Sequence, residues 1–199
     1  MNQSKNRERI LKLCVAAMMT ALVCAGNFAR IILPLSVGGV TAFTLGNIMC
    51  TLSGLLLGPW WGFAAAGLGS FLYDLTQGYY AHEAFITFFI KGVYGLVSGL
   101  VLYYVFVKLL KKEKDNYLAM LVSSVCAALA FLVVYSAKVY FYNGMIVQGF
   151  TVPAQCWALI VGKLPATLVN GGLAVICAPV LGAAIRKALK EAHLEAKLA

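Results

Sequence analysis

Long apolar segments fill almost the whole 199-residue chain, and short stretches with charged residues, glycine or proline separate them. Hydrophobic residues make up 62% of the sequence and charged residues only 12%, too few to cover the outside of a water-soluble fold. A soluble enzyme, a disordered chain and a secreted disulfide scaffold are therefore excluded. Because one spanning helix needs about 20 residues, we expect an all-α integral membrane protein with six transmembrane helices.

We predict a single membrane domain over residues 1–199, with spans at 10–33, 43–57, 60–75, 84–107, 117–141 and 154–181. Residues 183–199 alternate charged residues with Ala and Leu, which predicts an amphipathic cytoplasmic tail on the membrane surface. An even number of spans puts both termini on one side. The basic clusters at the N-terminus, between spans four and five, and at the C-terminus then all face the cytoplasm, as the positive-inside rule requires. The basic clusters separate or flank the spans, so they do not form the single basic face that binding of nucleic acid would need.

Seven ionisable residues lie away from those clusters, and the predicted topology puts all of them in the outer half of the membrane: Arg30, Asp74, His82, Glu83, Lys91, Lys138 and Lys163. An ionisable group in hydrocarbon costs at least about 2.5 kcal/mol, so such groups usually face a cavity or a partner. The pattern predicts a cup that opens outward above a closed apolar floor, and not a channel. Four basic residues against two acidic ones favour a ligand with an anionic group.

We predict that the cup binds a small molecule through aromatic and charged side chains: Arg30, Tyr73, Asp74, His82, Lys91, Tyr94, Tyr142, Trp157 and Lys163. Two alternatives remain at this point. The lysines could snorkel to the interface while the tyrosines form an aromatic belt, and Asp74 could pair with a cation to hold loops together. No catalytic residue and no metal ligand is predicted, since His82 has no second histidine nearby.

A stripe of alanines runs along the first span, with Ala17, Ala21, Ala25 and Ala29 at four-residue spacing. Such small-residue stripes let helices approach closely in lipid. The stripe could pack inside this protein or dock another membrane protein. Gly62, Ala66 and Ser70 form a second stripe, for which internal packing is the expected use.

No GxxxxGK[ST] sequence is present, so we expect a transport subunit without its own ATPase motif and not an enzyme. A stand-alone ion-coupled secondary transporter of a small organic solute is the alternative, with Asp74 as its titratable carboxylate. An intramembrane enzyme is disfavoured, because the sequence offers no clustered acid, base and nucleophile.

Four segments together resemble the substrate-binding S components of energy-coupling factor (ECF) transporters: residues 16–21, 54–62 with 67–74, 89–95, and 163–165. The resemblance extends over nearly the whole chain and implies an S-component-like bundle in the bacterial plasma membrane. It implies capture of a vitamin or related micronutrient at the outer face. Candidates are riboflavin, pyridoxine, hydroxymethylpyrimidine, pantothenate, folate, queuosine precursors and cobalamin.

The resemblance also implies partners. Ala17, Ala21 and Ala25 would contact an ECF transmembrane coupling protein, and two cytoplasmic ATPases would complete the importer. ATP would be used by those subunits, and no cofactor would be bound by this chain. The S component would topple in the membrane to carry its cup inward.

Overall fold

The computed structural model describes residues 2–33, 41–111 and 113–191. Six helices occur in this part of the chain: α1 Asn2–Phe28, α2 Gly46–Leu57, α3 Pro59–Thr76, α4 Ala84–Leu100, α5 Tyr117–Lys138 and α6 Pro153–Glu191. A 3-10 segment, Gly78–Glu83, precedes α4, and π-helical segments extend α4 over Val101–Leu109 and α5 over Val139–Val147. Helices α1, α4, α5 and α6, with these extensions, are long and apolar enough to cross a membrane, while α2 is apolar but shorter. The protein is an all-α membrane protein, as its sequence predicts.

A β-hairpin joins α1 to α2, where the sequence predicted that the first span continues to residue 33. Helix α1 ends at Phe28, and strands β1 (Arg30–Leu33) and β2 (Thr41–Thr44) pair antiparallel. A short apolar run fits a strand as well as a helix, and Pro34 disfavours helical geometry in the residue before it. Residues 34–40, which include Pro34 and the Gly38-Gly39 pair, lie outside the described residues.

Helices α2, α3 and α4 meet at three glycines. A Cβ atom on Gly54 would lie 2.1 Å from the carbonyl oxygen of Gly95, and one on Gly95 would lie 2.2 Å from that of Gly62. The Ser53 hydroxyl donates to the Gly62 carbonyl at 3.1 Å. Without side chains at this point the three backbones touch, which is the close approach that small residues permit in membrane bundles. Ala66 and Ser70 are also buried, so the second small-residue stripe packs internally.

The last helix differs from its prediction. The sequence placed residues 183–199 in a surface tail, but α6 continues unbroken to Glu191 and buries Arg186, which is 4% exposed. The Arg186 guanidinium donates to the Leu55 carbonyl near the end of α2 and lies 3.5 Å from a carboxylate oxygen of Asp115. Tyr103 donates to the next carbonyl, that of Leu56, at 3.0 Å. Residues 192–199 lie outside the described part of the chain.

The need of buried backbone carbonyls for hydrogen-bond donors explains why Arg186 is buried. Helix α2 has only 12 residues, so it ends inside the bundle, and the last carbonyls of a helix have no partner within the helix. In an apolar interior such carbonyls need donors from elsewhere in the fold. Arg186 and Tyr103 supply them, which draws the guanidinium inward from the surface.

Candidate functional site

A cavity of about 500 Å³ lies between the helices next to the hairpin. Its volume falls in the range of small-molecule sites, about 300–1,000 Å³. All six helices, both strands and the 3-10 segment contribute to its wall, which is formed by Asn27, Arg30, Thr44, Asn47, Ser70, Tyr73, Asp74, His82, Glu83, Thr87, Ile90, Lys91, Phe131, Tyr135, Lys138, Asn143, Val147, Gln148, Lys163, Ala166, Thr167 and Asn170. The cavity therefore depends on the whole bundle being assembled.

The seven ionisable residues that the sequence analysis singled out all line this cavity: Arg30, Asp74, His82, Glu83, Lys91, Lys138 and Lys163. They come from β1, α3, the 3-10 segment, α4, α5 and α6, so segments far apart in sequence converge here. Grouping charges around one polar space avoids the cost of exposing each of them to lipid. Lys91 and Lys163 face the cavity and do not lie in the outer wall of the bundle.

The hairpin is anchored over this end of the bundle. Pairing of β1 with β2 puts Arg30 opposite Thr44, and both residues line the cavity. The Thr44 backbone N–H donates to the side-chain oxygen of Asn170 on α6 at 3.0 Å. The hairpin thus connects the first and last helices across the site.

Glu83 organises the opposite wall. Its carboxylate is bonded to the Lys138 ammonium and accepts a hydrogen bond from Asn143 Nδ2 at 3.2 Å. Both members of the ion pair are mostly buried, with side chains 11% and 12% exposed. His82 Nε2 lies 3.9 Å from the same carboxylate. This group of contacts ties the segment before α4 to the end of α5 and its π-helical extension.

Lys91 lies deeper in the cavity and has a different environment. Its ammonium donates to the Asn47 side-chain oxygen and lies 5.3 Å from the centre of the Phe131 ring. Asp74 and Thr87 also line the cavity, and the Thr87 hydroxyl interacts with the Asp74 carboxyl. An amide, an aromatic face and a hydroxyl therefore solvate these two charged groups. No group of three His, Cys, Asp or Glu side chains in the described residues could hold a metal ion.

Stacked aromatic rings lie beneath and beside the cavity. Tyr94 stacks on Phe131 with ring centroids 4.4 Å apart, and Phe131 stacks on Tyr135 at 5.4 Å. Phe131 and Tyr135 line the cavity, whereas Tyr94 is 0% exposed and is not part of its wall. Tyr94 follows Lys91 by three residues on the same face of α4, one turn along, so it packs below the cavity. Val23, Cys50 and Ala66 complete this apolar floor.

Two further aromatic residues that were predicted from the sequence to lie inside the cavity also lie outside its wall. Trp157 is 60% exposed and meets Tyr140 edge to face at 6.0 Å. Tyr142 stacks on His82 at 6.4 Å, at the rim. Of the nine residues predicted to bind a substrate, the other six line the cavity: Arg30, Tyr73, Asp74, His82, Lys91 and Lys163.

The cavity wall also contains residues that were not predicted from the sequence to belong to the site. Three are amides within apolar segments, Asn27, Asn47 and Asn170. A polar amide in a predicted span usually seeks a partner inside the bundle, so their position in the sequence was a usable signal. Phe131 carried no such signal, because a phenylalanine in an apolar helix fits lipid or core equally well.

The alanine stripe of α1 faces away from the rest of the molecule. Ala17, Ala21 and Ala25 are exposed, whereas Met19 and Val23 are buried. Val23 lies against α3, where a Cβ atom on Gly69 would come within 2.7 Å of the Val23 Cβ. In the described part of the chain, the alanine stripe is therefore exposed, while the opposite face of α1 packs against the bundle.

The chain matches a known family. The family model described as "ECF-type riboflavin transporter, S component" matches residues 7–187, which is most of the chain and includes every cavity residue. No curated protein matches the chain.

Proposed function

Because the chain belongs to the family of ECF-type riboflavin transporter S components, we propose that it binds riboflavin in the cavity and takes part in its ATP-driven import. The family supports a vitamin of the riboflavin type as the substrate. The sequence resemblance had left seven candidate vitamins open. In this proposal the chain contributes binding and no catalysis.

The observation that carries the proposal is the composition of the cavity wall. Riboflavin combines a flat heteroaromatic ring system with a chain of hydroxyl groups. The stacked rings of Phe131 and Tyr135 offer a flat apolar surface on one side. Amides and hydroxyls on the other helices, among them Asn27, Ser70 and Thr167, offer hydrogen bonds for a polyhydroxyl chain. Aromatic walls with a few polar groups are typical of sites for such ligands.

Import requires partners that this chain does not contain. We propose that an ECF transmembrane coupling protein docks on the exposed alanines of α1, Ala17, Ala21 and Ala25. Two cytoplasmic ATPases would supply the energy. In this proposal both termini lie on the cytoplasmic side of the plasma membrane, because six spanning helices would bring them to one side and the basic clusters favour the cytoplasm.

The direct test measures binding of riboflavin to the purified chain in detergent, without ATP or partners. The quenching of flavin fluorescence reports the binding. We expect saturable binding that an excess of pyridoxine, pantothenate or folate does not displace. Lys91→Met, which removes the deep cation of the cavity, should weaken binding about tenfold. The control Lys108→Met removes an exposed lysine near the end of α4 and should leave binding unchanged. Absence of riboflavin binding by a correctly folded chain would refute the proposal.

The ion-coupled carrier remains the second candidate, because the buried carboxylate of Asp74 lies in the cavity wall where such a carrier would titrate. Uptake into cells that lack the ATPase partners separates the two. Uptake that persists there and collapses with the ion gradient would favour the carrier. Uptake that requires the ATPases would favour the S component.

A further inference from the structure

The π-helical extension of α5 is tied to the 3-10 segment through one carboxylate. Glu83 is bonded to the Lys138 ammonium and accepts a hydrogen bond from Asn143 Nδ2 at 3.2 Å. Next to these contacts the rings of His82 and Tyr142 stack at 6.4 Å. Two neighbouring residues of the 3-10 segment therefore hold three residues at the end of α5.

The two partners of Glu83, Lys138 and Asn143, have the spacing of a π-helix. In an α-helix each residue turns the chain by about 100°, so residues five apart point about 140° away from each other. A π-helix, in which backbone bonds join residues five apart, brings them close to the same face. The Gln148 N–H donates to the Asn143 carbonyl at 3.1 Å, which is a bond of this kind. The π-helical geometry therefore lets one carboxylate hold both side chains.

A π-helix of this length needs support from the rest of the fold. Such helices occur mostly as single-turn bulges within α-helices, whereas Val139–Val147 has nine residues. Besides the contacts of Glu83, the segment is supported by α6, because a Cβ atom on Gly144 would lie 2.7 Å from Cys156 Sγ. The backbone of Gly144 thus covers this buried thiol. Loss of the Glu83 contacts would free the segment to move toward α-helical geometry, which would shift Gly144 and uncover Cys156.

The same segment forms one side of the cavity. Asn143 and Val147 lie in it, Gln148 follows directly, and all three line the cavity wall. A change in its helical geometry would move these side chains together, since they share one backbone. Whether this side of the cavity is closed therefore depends on the contacts of Glu83.

We propose that Glu83 is a latch. Its bonds to Lys138 and Asn143 keep the extension of α5 π-helical and the cavity closed on this side, and their opening lets the ligand pass there. Glu83 acts in this through the two residues that it holds, so it is a positioning residue. Passage of the ligand rests on the proposed function, whereas opening of the latch can be measured without a ligand.

The first test uses Cys156 as a reporter in the purified full chain without ligand. Mass spectrometry of the peptides gives the rate at which N-ethylmaleimide modifies each cysteine, and this rate follows the population of the open form. We expect Glu83→Gln to raise the rate at Cys156 at least about tenfold, since a hydrogen bond to a charged group contributes enough for such a change. Cys50, which is buried in α2, should keep its rate.

Exchange of the two charges should restore the latch. When Glu83→Lys is combined with Lys138→Glu, the ion pair can form again and the Asn143 amide can turn its oxygen toward the ammonium. The rate at Cys156 should then return close to that of the original protein. Glu113→Gln removes an exposed carboxylate before α5 and is the matched control, with no change expected. An unchanged rate at Cys156 in Glu83→Gln, no recovery in the exchanged pair, or an equal rise at Cys50 would overturn the latch.

The second test follows the passage of riboflavin by stopped-flow fluorescence. Glu83→Gln should raise both the association and the dissociation rate constants, because a looser latch opens more readily in either direction. Unchanged rate constants, or a rise in dissociation alone as for a lost direct contact, would overturn the role of the latch in ligand passage. Absence of riboflavin binding by the original protein would instead overturn the proposed function, and the cysteine result would still decide the latch.

Discussion

Lys91, Lys138 and Arg186 are held inside the bundle by different kinds of partner. Lys138 has a carboxylate, Lys91 has an amide and an aromatic ring, and Arg186 has a carboxylate, a backbone carbonyl and the ring of Tyr103. The planar guanidinium can serve several acceptors at once, which a lysine ammonium on a flexible stem does less well. This suits arginine to the position where the carbonyls of α2, Asp115 and Tyr103 meet.

The Arg186 contacts give the first prediction. Arg186→Met keeps most of the side-chain volume but leaves the Leu55 carbonyl without its donor. It leaves Asp115 with only the exposed Lys190, whose ammonium lies 3.7 Å from the carboxylate. We expect the free energy of unfolding to fall by about 2 kcal/mol, within the range for leaving a buried acceptor without its donor. The measurement is the unfolding transition of the purified chain in detergent.

Lys187→Met removes the adjacent but exposed lysine and serves as the control, with an expected change within about 0.5 kcal/mol. Riboflavin affinity should stay the same in both variants. Leu55 lies eight residues along α2 from the cavity residue Asn47, or about 12 Å at the rise of an α-helix. Equal stability of the two variants would show that the buried arginine has no special role.

At the scale of elements, the short helix α2 determines much of the architecture. Its first turn carries Asn47 into the cavity wall, its middle meets α3 and α4 through Gly54, and its end is capped by Arg186 and Tyr103. Gly58, with φ at +84°, then turns the chain directly into Pro59 at the start of α3. A positive φ is readily accessible to glycine, so this tight turn depends on it. Helix α2 thus connects the cavity to the opposite end of the molecule.

The contact of the three glycines gives the second prediction. Gly95→Ala would place a methyl group 2.2 Å from the Gly62 carbonyl oxygen, so α3 and α4 would have to move apart. We expect a loss of about 3 kcal/mol in the free energy of unfolding, at the upper end of typical overpacking costs. Thermal unfolding of the purified protein, with the yield of folded monomer, measures this.

Gly172→Ala is the control within α6, because a Cβ atom there would meet nothing within 4 Å. The substitution should be neutral, or stabilising by up to about 1 kcal/mol through the higher helix propensity of alanine. If Gly95→Ala and Gly172→Ala had the same effect on the free energy of unfolding, the three backbones would not be in close contact.

At the scale of the whole molecule, the two ends of the bundle differ. One end holds the hairpin and a polar cavity that contains seven ionisable side chains. The other end is closed by an apolar core around Leu52, Leu55, Leu102 and Met120, with the contacts of Arg186 next to it. The described residues thus form a receptacle with an apolar floor. Such a shape binds a solute but needs further movement or partners to release it on the other side.

The open alanine face gives the third prediction. Ala21→Trp would place a large ring in the middle of the stripe without disturbing the buried face of α1, since Ala21 is exposed. We expect riboflavin binding by the purified chain to stay within twofold, whereas uptake in cells that contain the coupling protein and ATPases should be abolished. Binding assays and uptake of labelled riboflavin measure the two effects separately.

Ala158→Trp is the matched control, because Ala158 is also exposed but lies on α6. It should reduce neither binding nor uptake. Loss of binding in Ala21→Trp would assign the stripe to packing within the chain. Normal uptake in that variant would show that no partner uses this face.

The sequence by itself determined the class of protein, the six helices and the gathering of charged residues in one region. These properties follow from hydrophobic content and from the cost of placing ions in lipid, and both can be read along the chain without knowing which residues touch. Only the tertiary structure decided that Phe131 and Asn170 line the cavity while Tyr94 and Trp157 do not, that residues 30–33 form a strand, and that Arg186 is buried. Those outcomes depend on how each helix is rotated and on which backbone groups lack a partner, and contacts between distant segments settle both.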